Sequence, residues 1–149
     1  MKSIHLPQEF NRFSVPTLLV ITDNHQARIL LGIDNTLEEL PGVTGDDANT
    51  EPLEKSSGRS PGGQAFSDGR EKSPTESRER LYHRLIVRLN QELAAGLFEK
   101  LILAAPEEHV QELEESLPLP LLRCRDATIP KNLTGEELLD LALYALEET

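Results

Sequence analysis

A polar stretch of about thirty residues, from Thr44 to Thr75, divides the sequence into two apolar parts. Gly, Ser, Pro, Asp, Glu and Lys dominate this stretch, and its only large apolar residues are Leu53 and Phe66. Such a segment cannot bury enough apolar surface to offset the conformational entropy lost when it becomes ordered. We therefore expect residues 44–75 to form a long, mobile, disordered loop, which is unusual inside a compact domain.

The part before this loop predicts antiparallel strands. Apolar runs over residues 17–22 and 27–33 are each followed by an Asp-Asn pair, which is typical of strands that end in turns. They are expected to form a hairpin, and residues 36–40 are expected to add a third strand that ends at Pro41-Gly42. Residues 1–14 carry mostly polar side chains, so we interpret them as an N-terminal extension and not as a signal peptide.

The part after the loop predicts helices that alternate with strands. Leu81, Leu85, Leu89 and Leu93 recur every four residues, as on the buried face of a helix, and Gly96 is expected to stop that helix. The further elements expected are a strand over residues 100–105, a helix that opens at Pro106, a strand over Leu121 to Ile129, and a last helix started by a capping box at Thr134 to Glu137.

This order of elements predicts the fold class. Strands that follow one another closely pair antiparallel, whereas strands joined through helices pair parallel. We therefore expect one α/β domain over residues 15–149, with a mixed β-sheet flanked by helices.

Composition excludes several classes of protein. No apolar run approaches the roughly 18 residues that a membrane-spanning helix needs, and the single cysteine, Cys124, can form no disulfide within the chain. These features favour a cytoplasmic protein without a membrane span. The four histidines (His5, His25, His83 and His109) are far apart in the sequence, and no cofactor motif is present, so no metal site and no cofactor are expected.

Two features near the end of the chain favour structural roles. Cys124 is expected on a strand as a small, buried side chain, with Arg123 and Arg125 on the opposite face. Glutamates at 107, 108, 112, 114 and 115 follow the spacing of a helix that also carries Val110 and Leu113. We interpret them as a solvated outer face.

Charge is distributed unevenly along the chain. Residues 55–88 carry eight basic and four acidic side chains, whereas the formal net charge of the whole chain is -11. An acidic body repels a polyanion, but a basic segment is able to contact phosphate locally. Within this segment Arg80, Arg84 and Arg88 recur every four residues and form a column whose guanidinium groups are able to straddle phosphates. The alternative is that Glu76 and Glu92, which lie four residues from its ends, neutralise the column.

The most distinctive short motif lies inside the polar stretch. Gly62, Gly63 and Gln64 combine two residues that permit close backbone approach with an amide that both donates and accepts hydrogen bonds. The triplet alone is a weak signal, because a glycine-rich loop generates such combinations by chance.

Several short patterns, taken together, resemble the bacterial host attachment protein family over about residues 15–147. They are Leu18 to Ile21 followed by Asp23 and Ala27-Arg28; Phe66, Asp68, Gly69 and Arg70; the arginine-rich helix from Glu76; Phe98 to Pro106; and Asp126, Thr128, Pro130 and Thr134 to Leu138. That family is remotely similar to the middle domain of archaeal and eukaryotic peptide-chain release factors, which has a ribonuclease H-like fold.

The resemblance implies a site and a reaction. Release factors carry Gly-Gly-Gln in a loop before a basic helix, and the motif promotes hydrolysis of the peptidyl-tRNA ester on the ribosome. Gly62, Gly63 and Gln64 occupy the corresponding place here, and Gln64 would position the attacking water. Arg70, Arg80, Arg84 and Arg88 would contact RNA phosphate.

Two interpretations of function stay open from the sequence. The first is a release-factor-like domain that associates with the ribosome or tRNA. The second is a non-catalytic protein-interaction module whose acidic surface binds a basic protein partner.

Overall fold

The computed structural model describes residues 2–45 and 74–148 of the chain. In these two ranges six strands form one sheet, and four α-helices cover it. The strands are β1 (Ser3–His5), β2 (Phe13–Thr22), β3 (Gln26–Asp34), β4 (Thr36–Thr44), β5 (Lys100–Ala104) and β6 (Arg125–Ile129). The helices are α1 (Pro74–Ala94), α2 (Val110–Ser116), which follows a 3-10 turn at Glu107–His109, α3 (Leu119–Cys124) and α4 (Leu138–Glu148).

The sheet is mixed, as the sequence predicts. Its strand order is β1-β4-β3-β2-β5-β6. The pairs β1 with β4, β4 with β3 and β3 with β2 are antiparallel, and β2 with β5 and β5 with β6 are parallel. The carboxyl ends of β2, β4, β5 and β6 therefore lie at the same end of the sheet, which we call the strand end.

Alternating side chains of the central strands form two cores. Leu18 and Val20 of β2 face a layer made by α1, α2 and α3, with Leu85 of α1 among the fully buried residues. Leu19 and Ile21 face the opposite layer, where α4 packs. The α/β fold class is thus confirmed as a three-layer arrangement in which the sheet lies between α1–α3 and α4.

Turn chemistry explains the predicted hairpin, which is confirmed. The Asp23 carboxylate accepts hydrogen bonds from the backbone N–H groups of His25 at 2.7 Å and Gln26 at 2.8 Å, so the chain reverses there. At the other end of β3, Asp34 has φ of 55°, a left-handed conformation that aspartate tolerates better than most residues. The helix α1 and its stop are also confirmed, because α1 ends at Ala94 and Gly96 follows with φ of 77°.

The third strand is longer than predicted. Pro41-Gly42 does not end β4, which continues to Thr44. Pairing with β3 shifts between Ala27 and Ile29, so a bulge accommodates the proline, which cannot donate to the ladder. In addition, residues 1–14 include a strand, since Ser3–His5 pairs with β4 at the edge of the sheet. A strand of three residues is too short to show the alternation of apolar and polar side chains from which a strand is predicted.

The expected strand over residues 121–129 is wrong in its first half. Residues Leu119–Cys124 form α3, and the strand begins at Arg125. Pro118 precedes α3 and Pro120 lies in its first turn. Backbone N–H groups in the first turn have no acceptor within the helix, so a proline there costs no helical hydrogen bond. The two prolines therefore start a helix here instead of only ending the previous one.

The predicted capping box at Thr134 to Glu137 is also wrong, because α4 begins at Leu138. The Thr134 hydroxyl donates to the side chain of Asn132 at 2.7 Å instead of capping the helix. The carbonyl groups of Thr134 and Glu136 accept hydrogen bonds from Arg28 of β3, which holds this segment against the sheet in a non-helical path.

No helix among the described residues combines the length and the apolar character needed to cross a bilayer.

Candidate functional site

The candidate site lies at the strand end, where residues 46–73 leave β4 and the chain returns in α1. The two flanks of that segment are packed together. A Cβ atom on Gly45 would lie 2.5 Å from the carbonyl oxygen of Ser77 in α1, so only glycine permits this approach. The Gly45 N–H donates to the His25 carbonyl at 3.0 Å, and Arg84 Nη1 donates to the Thr44 carbonyl at 3.3 Å.

A group of polar side chains surrounds this junction, which we call the strand-end cluster: Asn24, Arg78, Tyr82, His109 and Glu112. Arg78 is only 8% exposed, and its Nε donates to Glu112 Oε1 at 2.8 Å. Its Nη1 lies 3.5 Å from Asn24 Oδ1 in the turn between β2 and β3. Arg78 therefore connects three elements, α1, α2 and the first hairpin, beside the point where residues 46–73 begin.

Tyr82 lies one helical turn after Arg78 and is 3% exposed. Its hydroxyl lies near the Thr22 side chain but makes no hydrogen bond of normal geometry among the described residues. Burial, with a smaller contribution from the Glu112 carboxylate, raises the pKa of Tyr82 to about 12. The phenol thus stays neutral over the physiological range and acts neither as a base nor as an anion.

The strand-end cluster positions elements and carries no evident reactive centre. The Arg78 guanidinium is paired with a carboxylate, and His109 Nδ1 lies 3.9 Å from the same Glu112 oxygen. In residues 2–45 and 74–148 no three His, Cys, Asp or Glu side chains come together as metal ligands. Among the described residues, the strand-end cluster therefore acts as a scaffold that fixes the two ends of residues 46–73.

The predicted catalytic triplet Gly62, Gly63 and Gln64 lies outside the described residues, and so does Arg70. Their roles stay predictions. The predicted loop over residues 44–75 can be compared with the structure only at its two ends. There Thr44 belongs to β4 and α1 begins at Pro74.

The predicted arginine column is present along α1. Arg80, Arg84 and Arg88 are each partly buried and succeed one another at one-turn intervals. Arg84 binds the Thr44 carbonyl, and Arg88 Nε donates to Glu92 Oε2 at 2.5 Å. The competition from Glu92 that the sequence suggests is therefore observed. Phosphate binding by the column remains a prediction.

The predicted acidic face is only partly solvated. Glu107, Glu108 and Glu115 are exposed. By contrast, Glu112 binds Arg78, and Glu114 binds both Arg125 and the Thr128 hydroxyl. Cys124 is partly buried at the end of α3, not on a strand, and packs against the core that contains α1.

Arg28, for which the sequence predicts no role, joins several segments on the opposite face of the strand end. Its Nε and Nη2 donate to the two carboxylate oxygens of Glu39 at 2.8 and 3.0 Å, and its Nη1 donates to the carbonyls of Thr134 at 2.9 Å and Glu136 at 2.8 Å. The hydrogen bonds from Arg28 lower the pKa of the Glu39 carboxyl, against a smaller opposing effect of burial.

Both missed arginines had a signal in the sequence. Arg78 falls on the buried stripe of α1, in line with Tyr82 and Leu85, and Arg28 falls inside the apolar run of β3. A charged residue at a position that the periodicity assigns to the interior is expected to have a specific partner.

Comparison with known protein families gives a match over most of the chain. The model of the family described as bacterial archaeo-eukaryotic release factor family 12 matches residues 16–142. This match confirms the relation to release factors that the motifs suggest, and it supports a translation-related, release-factor-like role. A search of curated proteins gave no significant match.

Two solved structures are similar over most of this chain. One, described as an archaeal protein, has 16% identity and a TM-score of 0.49 over 87% of this chain and 36% of its own. The other is S. cerevisiae Dom34, a translation termination-like factor involved in RNA quality control pathways and interacting with Hbs1, with 11% identity and a TM-score of 0.46 over 88% of this chain and 36% of its own. The chain thus spans about a third of the length of either structure.

Proposed function

We propose, since this chain belongs to bacterial archaeo-eukaryotic release factor family 12, that it binds the ribosome or tRNA in the cytoplasm and presents Gly62, Gly63 and Gln64 to the peptidyl-tRNA ester. One observation carries the proposal. The two flanks of residues 46–73 are clamped at the strand end, by the contact of Gly45 with Ser77 and by the bond from Arg84 to Thr44. A segment fixed at both ends on a rigid sheet is suited to delivering a motif to a partner.

The reaction we propose is hydrolysis of the ester between peptide and tRNA. The two glycines allow the backbone to approach the terminal nucleotide closely. The Gln64 amide orients a water molecule toward the ester carbonyl, and backbone N–H groups stabilise the negative charge that develops on the carbonyl oxygen. The water oxygen bonds to the ester carbonyl carbon and the ester C–O bond breaks. One proton of the water passes to the leaving tRNA oxygen and the other passes to solvent, which leaves a carboxylate on the peptide.

Charge supports contact at this end of the molecule. The formal charge of the whole chain is -11, yet basic side chains outnumber acidic ones by eight to four in residues 55–88. An RNA surface would therefore repel most of the protein and attract the segment that includes Arg70 and the column on α1. This asymmetry favours one orientation of approach.

Cosedimentation with ribosomes over a range of salt concentrations tests the binding. Replacing Arg80 and Arg88 with Ala keeps the bond from Arg84 to Thr44, so the clamp stays intact. We expect weaker binding and a log–log salt dependence whose slope falls by about one for each phosphate that the variant no longer neutralises. The matched control removes two exposed arginines elsewhere, Arg12 and Arg123, and should leave binding unchanged. Equally weakened binding in both double variants would indicate that only total charge matters and would contradict the assigned surface.

Peptide release from ribosomes that hold peptidyl-tRNA tests the chemistry. Gln64→Ala should reduce the release rate by about 100-fold, as expected when a group that orients the reacting water is removed. Gln91→Ala, which replaces an exposed glutamine of α1, is the control and should keep the wild-type rate. Release that is unchanged in Gln64→Ala would reject the catalytic role and leave a binding role.

A further inference from the structure

The outer side of α4 carries exposed leucines beside acidic side chains, although the helix already buries an apolar inner side. Leu141, Ala142 and Ala145 are 0% exposed and pack on the sheet. On the other side Leu139 is 45% exposed and Leu143 is 41% exposed, one turn apart. These two leucines form an apolar strip that no described element of the chain covers. The other large apolar side chains exposed among the described residues, Ile33, Val87 and Leu119, each lie on a different element.

A groove runs along this outer side, which we call the α4 groove. Its volume is about 370 Å³, and Glu136, Asp140, Leu143, Tyr144 and Glu147 line it. Glu136 also lines a neighbouring cavity of about 730 Å³, to which Leu139 contributes. Leucine side chains at one-turn spacing beside a groove are the usual receptor for the apolar face of a second helix.

Charge determines which kind of helix fits. Residues 131–149 carry five carboxylate side chains and one lysine, Lys131. The Lys131 ammonium lies 5.3 Å from the centre of the Tyr144 ring. Within the described ranges no Lys or Arg side chain pairs with Glu136, Asp140 or Glu147. The rim of the α4 groove is therefore anionic and open to a cationic ligand.

We propose that the α4 groove binds a basic amphipathic helix of a partner protein. The apolar residues of that helix would pack on Leu139, Leu143 and the Tyr144 ring, and its Lys or Arg residues would face Glu136, Asp140 and Glu147. The eleven residues of α4 extend for about 16 Å, which three to four turns of a partner helix would match. This binding is separate from the proposed ribosome contact, because α4 lies on the opposite face of the sheet from α1.

The same observations disfavour two other occupants. Nucleic acid would be repelled by the carboxylates, and it offers no apolar helical face for the leucines. A second copy of this chain carries the same net charge of -11 and the same acidic rim, so two α4 grooves facing each other would place like charges together.

A synthetic peptide tests the proposal on the full chain. The probe is a capped peptide of about fifteen residues, composed of leucine and lysine at amphipathic helical spacing. Calorimetric titration should show saturable, one-to-one binding that weakens as salt rises. Backbone amide NMR shifts on titration should be largest in residues 131–148. A peptide of the same pattern with glutamate in place of lysine should not bind.

Paired variants assign the binding to α4. Leu139→Ser with Leu143→Ser should weaken peptide affinity about tenfold, and Asp140→Asn with Glu147→Gln should weaken it about fivefold. The controls are Val87→Ser with Leu119→Ser, which removes two exposed apolar side chains on the opposite face, and Glu107→Gln with Glu108→Gln, which removes two exposed carboxylates elsewhere. Both controls should bind like the wild type.

Three results would overturn the proposal. The first is an equal decrease of affinity in the control variants, which would mean that the peptide responds only to overall charge or hydrophobicity. The second is NMR shifts centred on α1 or α2. The third is self-association of the chain, seen by sedimentation, that Leu139→Ser with Leu143→Ser abolishes, since the occupant would then be a second copy. None of these results bears on peptide release, so the two proposals fail separately.

Discussion

The two faces of the sheet are built differently, although each has an apolar core and a partly buried arginine. Three helices cover one face, and Arg78 joins α1 to α2 through Glu112 at 2.8 Å. The other face is covered by α4, and Arg28 joins β3 to β4 and to the segment before α4. Exposed positions of α1 are mostly polar, whereas exposed positions of α4 include two leucines.

This difference suits the two faces of the sheet to different roles. The face with α1 is closed by its own helices, and at the strand end it clamps the segment that carries the proposed catalytic triplet. On the face with α4, two leucines stay exposed on the outer side of the helix, as is typical of a surface that binds a partner. Substitutions on the two faces test this difference.

The largest effects are expected in the two cores. Leu85→Ala on the α1 face and Leu141→Ala on the α4 face each truncate a side chain that is 0% exposed. Each should lower the free energy of unfolding by about 2–5 kcal/mol, because a cavity replaces packed methyl groups. Urea denaturation measures both. A decrease below about 1 kcal/mol for Leu141→Ala alone would show that α4 is only loosely attached and would break the symmetry of the two cores.

The next largest effect is expected at Arg28. Arg28→Ala removes two bonds to Glu39 and two to backbone carbonyls, and the side chain is only 17% exposed. The free energy of unfolding should fall by about 2–3 kcal/mol at pH 7. Arg12→Ala is the control, since the Arg12–Asp34 pair is 62% and 60% exposed and should contribute little.

The stabilisation from the Arg28–Glu39 ion pair should decrease as the pH is lowered. The pKa of Glu39 is lower in the folded protein than its ordinary value of 4.5, so ionised Glu39 stabilises the fold above that pH. This stabilisation is lost as the pH falls through the folded-state pKa. The difference between wild type and Glu39→Gln should therefore shrink below pH 4.5. A difference that stays constant under acid conditions would contradict the ion pair.

The smallest effect is expected at Tyr82 on the α1 face. At pH 7, Tyr82→Phe should be as stable as wild type or about 1 kcal/mol more stable, because the buried hydroxyl makes no hydrogen bond of normal geometry among the described residues. Above pH 10 the unfolded phenol ionises while the folded one, with a pKa of about 12, does not. Wild type should then lose about 2 kcal/mol relative to Tyr82→Phe by pH 12. Parallel stability curves for the two proteins would show that the hydroxyl is solvated.

Some elements could be predicted from the sequence because their signals are local. The four-residue leucine spacing of α1, the Asp-Asn turns around β3 and the apolar run of β5 each reflect one periodicity. The predictions fail where a distant residue decides the path. Arg28 donates hydrogen bonds to the carbonyls of Thr134 and Glu136, which lie more than a hundred residues away in the chain. These bonds hold the segment in a non-helical path, so α4 begins only at Leu138.

The candidate site divides in the same way. The Gly-Gly-Gln motif and the arginine spacing are visible in the sequence, whereas the clamp at Gly45 depends on the approach of two backbones. The exposure of Leu139 and Leu143 could not be predicted, for a related reason. Leu138 to Leu146 is apolar at nearly every position, so periodicity alone cannot tell which side of α4 faces the sheet.

Local periodicity, turn residues and counts of ionisable groups predicted the mixed sheet, the uneven charge and the main strands and helices other than β1 and α3. Which arginines are buried, which carboxylates they bind and which leucines stay exposed became visible in the folded chain alone. Those outcomes depend on which elements pack side by side, and packing joins residues that no short window of sequence contains.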